Sequence, residues 1–277
     1  MTADAFKTDG LSPEARRPIV VLLIDDQAFV GAAVNRLLAA EHDIEFHYCG
    51  HPLDAVALAN RIGPTVILQD LLMPAMDGLE LVQTFRTNPS TSGTPVIALS
   101  GNDDNVTRSR ALAHGAADYL VKLPPKEVLI ACIRRHAFGA AGSTPAASDQ
   151  AAAAPDSTEV QTLNRGAIAA FRSADTGGSS VFVRALIDQF LDEAASQVAR
   201  LGEAARRADG EALTAAAHGL KGSATTMGAS KLAALCGQIQ RHAARPAGSG
   251  IVSVLMTEIE KELVDIQAAF AAEQGPD

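Results

Sequence analysis

Three cysteines in 277 residues, Cys49, Cys132 and Cys236, are too few, too far apart and odd in number for a disulfide framework or a metal knuckle. They read as small buried hydrophobes of a reducing compartment. No apolar run approaches the ~20 residues of a membrane-spanning helix. The polar start, Met1 to Arg17, has no signal-peptide core, so a cytoplasmic location and no membrane partner are expected. Positive charge is also short: the formal net charge is −9, which argues against a nucleic-acid or anionic-membrane surface. A glycine-rich phosphate loop is missing too, so the chain is not expected to use ATP directly. What is present is apolar content. With 47% hydrophobic and 20% charged residues the chain can bury real cores, and its length suits two domains.

The boundary falls where apolar periodicity stops. Residues 139–160 are small residues with two prolines and no aromatic, a flexible linker by composition. It follows a mixed domain over 18–138, itself preceded by a polar segment over 1–17, and leads to a wholly helical domain over 161–273. About 20 such residues have a root-mean-square span of roughly 25 Å, enough to let the two domains meet.

In the first domain, apolar runs at Ile19–Ile24, Ile44–Tyr48, Thr65–Gln69, Pro95–Leu99 and Asp118–Val121 alternate with amphipathic stretches. Five strand–helix units of that spacing imply α/β architecture, a parallel sheet covered on both faces. Ligands of such sheets bind at the carboxyl ends of the strands. Those ends carry Asp25 and Asp26, Asp70, Ser100 and Lys122. Singly, each could be a helix cap, a turn residue or a surface charge. Together, three carboxylates at one sheet edge repel one another unless a cation neutralises them, and an all-oxygen set suits Mg²⁺.

This set, with Tyr119 three residues before Lys122 and the Met73-Pro74 and Asp77-Gly78 steps after Asp70, resembles the response-regulator receiver domain. The phrasing around Asp70 and from Tyr119 to Pro124 is most similar to receivers that precede diguanylate cyclase domains. The resemblance implies a flavodoxin-like five-stranded fold. It implies Asp70 as phosphoacceptor, Asp25, Asp26 and Asp70 as Mg²⁺ ligands, Lys122 paired with the phosphoryl group, and Ser100 and Tyr119 as the switch. Two departures stand out. Leu123 separates Lys122 from Pro124, which argues against the family's cis bond, since a non-proline cis peptide costs ~2.5–4 kcal/mol. Leu72 and Asn102 occupy the positions flanking the path of the hydrolytic water, and an apolar Leu72 offers that water no hydrogen bond.

The second domain is periodic throughout. Val183, Leu186, Ile187, Phe190 and Leu191 make one stripe; Leu232, Leu235, Cys236 and Ile239 a second; Leu255, Ile259, Leu263, Ile266 and Phe270 a third. These predict an antiparallel bundle of four helices. On the helix between the first two stripes, His218, Lys221 and Gly222 share a face. Two glycines within four residues, Gly219 and Gly222, each cost a helix about 1 kcal/mol relative to alanine. Clearance for a protein approaching the imidazole is a reason to keep them. The segment from Ala217 to Ala224 resembles the active helix of histidine phosphotransfer (HPt) domains. That resemblance implies that His218 accepts a phosphoryl group and that Lys221 screens its charge.

A receiver joined to an HPt domain implies a phosphorelay protein. Its partners would be a histidine kinase and another receiver or HPt protein, and it would be a phosphoacceptor rather than an ATP-using enzyme. The alternative is a helical adaptor or output module that the receiver controls, regulating a partner by binding. A cyclase output lacks its GGDEF-like signature, and a DNA-binding output lacks a basic recognition helix.

Overall fold

A computed structural model describes residues 18–73, 76–101, 105–139, 180–243 and 249–274. The polar start, the linker and the first residues expected of the helical domain lie outside them, as does Asn102.

The first domain runs β1 (Ile19–Ile24), α1 (Ala28–Leu38), β2 (Ile44–Cys49), α2 (Ala55–Ile62), β3 (Val66–Asp70), α3 (Gly78–Thr87), β4 (Val96–Ser100), α4 (Asn105–Ala113), β5 (Asp118–Val121) and α5 (Lys126–Ala137). All pairings in the sheet are parallel, in the order β2-β1-β3-β4-β5. Every residue of β3 and β4 is buried, as helices on both faces require of a continuous apolar run. The strand order reverses between β1 and β3, so Asp25, Asp26 and Asp70 stand at the switch point, where a crevice forms.

Local chemistry sets the helix ends. Gly63 closes α2 in the left-handed region (φ 60°), and the Asp77 side chain accepts the Leu79 amide at the start of α3. The residue inserted before Pro124 shows how the chain accommodates it. All described peptide bonds are trans, and Leu123 itself adopts φ 54°. A left-handed leucine costs about 1–2 kcal/mol, and its half-buried side chain packs against the core in return.

Among the described residues the second domain has four helices: α6 (Ser180–Arg206), α7 (Gly210–Thr226), α8 (Ser230–Ala243) and α9 (Ser249–Gln274). Packing runs α6 on α7, α7 on α8, α8 on α9 and α9 back on α6, a closed bundle. Three-residue connections join α6 to α7 and α7 to α8, which makes those neighbours antiparallel. The three predicted stripes are buried, except that Leu191 is only partly covered.

The two domains pack together. Phe29 of α1 meets Phe190 of α6 edge-on, with ring centroids 6.1 Å apart, and Phe190 meets Phe270 of α9 in the same way at 6.3 Å. Through this aromatic file, one apolar cluster continues from the sheet into the bundle. Helix α7 lies against Leu72–Met73, directly beyond β3.

Candidate functional site

Parallel pairing of β1, β3, β4 and β5 gathers their terminal side chains into one pocket. Lys122 Nζ lies 2.8 Å from Asp70 Oδ2 and 2.9 Å from Asp25 Oδ2, with all three side chains almost wholly buried. Backbone amides fix the carboxylates: Gln27 N–H donates to Asp25 Oδ1 and Leu72 N–H to Asp70 Oδ1, each at 3.0 Å. Asp26 is half-buried beside them, and one ligand oxygen from each of Asp25, Asp26 and Asp70 lies within 4.8 Å of the others.

The electrostatics show a pocket short of positive charge. Burial pushes the Asp25 carboxyl up to about 7, against the pull of Lys122. Burial and then the charge of Asp70 push Asp26 up to about 6. Desolvation alone would lower Lys122, but Asp25 and Asp70 outweigh it and hold its ammonium above the ordinary range. One ammonium thus serves three carboxylates. Asp26 Oδ1 is buried without a hydrogen-bond partner. An orphaned oxygen beside two further carboxylates fits a hard divalent cation.

Ser100 closes β4 and is buried at the same edge. Tyr119 of β5 is buried as well, with the Arg108 guanidinium 5.1 Å from its ring centroid. Leu72 is exposed at its edge, and Asp70 takes its amide.

His218 is half-buried on α7, with Lys221 exposed one turn on. Its Nδ1 is 3.1 Å from Gln240 Nε2 of α8, which leaves Nε2 as the ring nitrogen Gln240 does not engage. Burial, and then the nearby Lys221 ammonium, hold the imidazole below its ordinary value, while the charge of Asp70 acts the other way. That last influence ties the two sites together, because α7 faces the strand ends of the first domain.

Glycines make the approach possible. A Cβ on Gly222 would meet Gln27 Nε2 at 3.0 Å, and one on Gly101, just past β4, would meet Thr225 Cγ2 at 3.1 Å. The clearance expected around the imidazole exists, and what fills it is the chain's own first domain. Glu193 of α6 also turns toward this junction. Burial and the charge of Asp26 push its carboxyl up to about 7.

The strand-end set and the His218 face therefore stand where sequence placed them, and the structure brings the two together. Sequence reasoning missed Gln27, Glu193 and Gln240. Gln240 follows the second stripe directly, but only packing of α8 on α7 aims it at His218.

Comparison with known proteins finds two families along the chain. Residues 21–134 match the response regulator receiver domain, and residues 185–269 match the Hpt domain. The chain is 35% identical over 118 residues to the transcriptional regulatory protein TrcR of Mycobacterium tuberculosis, covering 42% of this chain and 44% of that protein. It is 33% identical over 117 residues to the response regulator PleD of Caulobacter vibrioides, covering 41% of this chain and 25% of PleD. The chain thus spans less than half the length of these relatives. Among solved structures, chemotaxis protein CheY4 of Vibrio cholerae is 27% identical with a TM-score of 0.40, over 43% of this chain and 98% of that one.

Proposed function

Because the chain joins a receiver domain to an Hpt domain in a phosphorelay protein, we propose that Asp70 accepts a phosphoryl group from a histidine kinase and that His218 of the same chain receives it next. The observation behind this reading is the seating of α7 over the strand ends, with Gly222 against Gln27 and Gly101 against Thr225.

In the first step an Asp70 carboxylate oxygen attacks phosphorus, and the P–N bond to the donor imidazole breaks. Lys122, already 2.8 Å from Asp70, follows the charge onto the phosphoryl oxygens, so catalysis is mainly electrostatic and positional. Asp25, Asp26 and Asp70 would hold Mg²⁺, which supplies further charge neutralisation when bound. Ser100 and Tyr119, both buried, would respond to the added group.

In the second step the lone pair on His218 Nε2 attacks phosphorus, and the P–O bond to Asp70 breaks with its electrons leaving on the carboxylate. That needs the proton on Nδ1, and Gln240 with its amide oxygen turned inward would accept the hydrogen bond from Nδ1–H. Lys221 screens the product. Both phosphoryl linkages are energy-rich, so partners set the direction of flow. A helical adaptor without transfer has no use for a half-buried imidazole held by Gln240 at the receiver's edge.

The test is label transfer at high dilution after acetyl phosphate treatment. Acid-labile, base-stable phosphohistidine is expected at a rate independent of protein concentration. His218→Gln abolishes that signal and leaves Asp70 labelled, while Asp70→Asn abolishes both. A rate proportional to protein concentration assigns His218 to an outside receiver instead.

A further inference from the structure

A second cluster of ligand-type side chains lies away from the phosphoryl sites, where β5 meets α5. Cys132 and His136 are one helical turn apart on α5, the spacing that aims two side chains at one point. Asp118, the first residue of β5, stands opposite them. Its Oδ1 accepts the Tyr119 amide at 2.8 Å. Its Oδ2 is crowded: His136 Nε2 lies at 3.1 Å, Cys132 Sγ at 3.4 Å, and Arg135 also bonds it. Three donors converge on an oxygen with two lone pairs.

We propose that Asp118, Cys132 and His136 form a binding site for a borderline-soft divalent cation such as Zn²⁺, with solvent as the fourth ligand. One carboxylate oxygen, one imidazole nitrogen and one thiolate are a zinc donor set and a poor one for Mg²⁺. The geometry agrees with it. Zinc–ligand bonds of about 2.0–2.3 Å put tetrahedral ligands roughly 3.3–3.8 Å apart, and these three ligand atoms lie within 4.8 Å of one another. Cys132 is buried, while the Asp118 and His136 side chains keep 25% and 19% of their surface, so a cation enters from the solvent side.

Loading the site replaces hydrogens by metal. The Cys132 S–H bond breaks, its proton goes to buffer, the sulfur keeps the electron pair, and the metal–sulfur bond forms. Burial and the Asp118 carboxylate keep the free thiol protonated, pushing it up to about 12, so the metal must displace that proton. Arg135 occupies the same carboxylate oxygen and must swing out. Its half-exposed side chain leaves it free to do so.

Co²⁺ is the probe, added to the full-length reduced chain. One equivalent is expected to give tetrahedral visible bands and a thiolate-to-cobalt charge-transfer band, and Zn²⁺ should bleach both. Cys132→Ser removes the charge-transfer band, and His136→Ala weakens binding by about tenfold or more. Arg135→Ala tightens binding, whereas a bare ion-pair network would only be loosened by it. Asp70→Asn leaves the bands intact, which separates this site from the acidic pocket. If Cys132→Ser does not fold, Asp118→Asn, which keeps the side-chain shape, takes its place and is expected to weaken Co²⁺ binding. Absence of a charge-transfer band at stoichiometric Co²⁺, or its survival in Cys132→Ser, overturns the proposal.

Discussion

At His218 two demands on one imidazole are met by different neighbours. As the proposed phosphoacceptor it must be neutral, and burial together with Lys221 favours the neutral form. It must also present a chosen nitrogen, and Gln240 beside Nδ1 would make that choice with its amide oxygen turned inward. The lowered value has a consequence for stability. As pH falls past 6.5, the unfolded chain protonates this histidine while the folded chain lags. The unfolded state then binds more protons, so stability is lost on acidification and regained as pH rises. The denaturation midpoint of wild type is expected to drop more steeply below pH 6.5 than that of His218→Gln. Equal slopes in the two proteins would show that His218 is not held neutral.

At the scale of elements, Gly222 sets helix stability against docking. Gly222→Ala gains α7 about 1 kcal/mol of propensity. Its Cβ, however, meets Gln27 Nε2 at 3.0 Å, and Gln27 is buried and has little room to yield. Overpacking of this kind costs about 1–3 kcal/mol. With the cost at least offsetting the gain, the variant is expected to melt no higher than wild type and to transfer from Asp70 to His218 more slowly, by roughly fivefold to a hundredfold. Phosphohistidine formation followed beside thermal unfolding checks both halves. The same elements show what sequence could reveal. Asp25, Asp70 and Lys122 were legible because a charge at the end of an apolar strand has one place to go in a parallel sheet. The Phe190 stripe was legible as a buried face, but nothing in its period says that Phe29 of the other domain shares that face. Thr225 and Gln27 carry no local signal at all, since their meaning arises only where two surfaces meet. Leu123 was legible as an irregularity, and its left-handed backbone is what resolves it.

For the whole molecule, the surface that a histidine kinase would approach on the proposed reading is the one α7 already covers. Asp70 is 1% exposed. Thr225→Arg, placing a long cation against Gly101 and outside the phosphoryl chemistry, should part the domains. Labelling of Asp70 by a phosphorylated histidine kinase is then expected to accelerate, while transfer onward to His218 slows. Unchanged initial rates in both directions would show that the packing does not govern access.

The continuous aromatic file Phe29–Phe190–Phe270 bears on signalling fidelity. It is part of the packing between the domains, so on the proposed reading an outside donor would bind only the fraction in which they part, and its apparent affinity would fall by that fraction. The penalty is the same factor for every donor but not the same in effect. A well-matched donor still saturates the receiver, whereas a poorly matched one drops below its working concentration. Intramolecular packing of three ordinary phenylalanines would thereby act as a threshold that rejects crosstalk, set without any residue that touches the phosphoryl group.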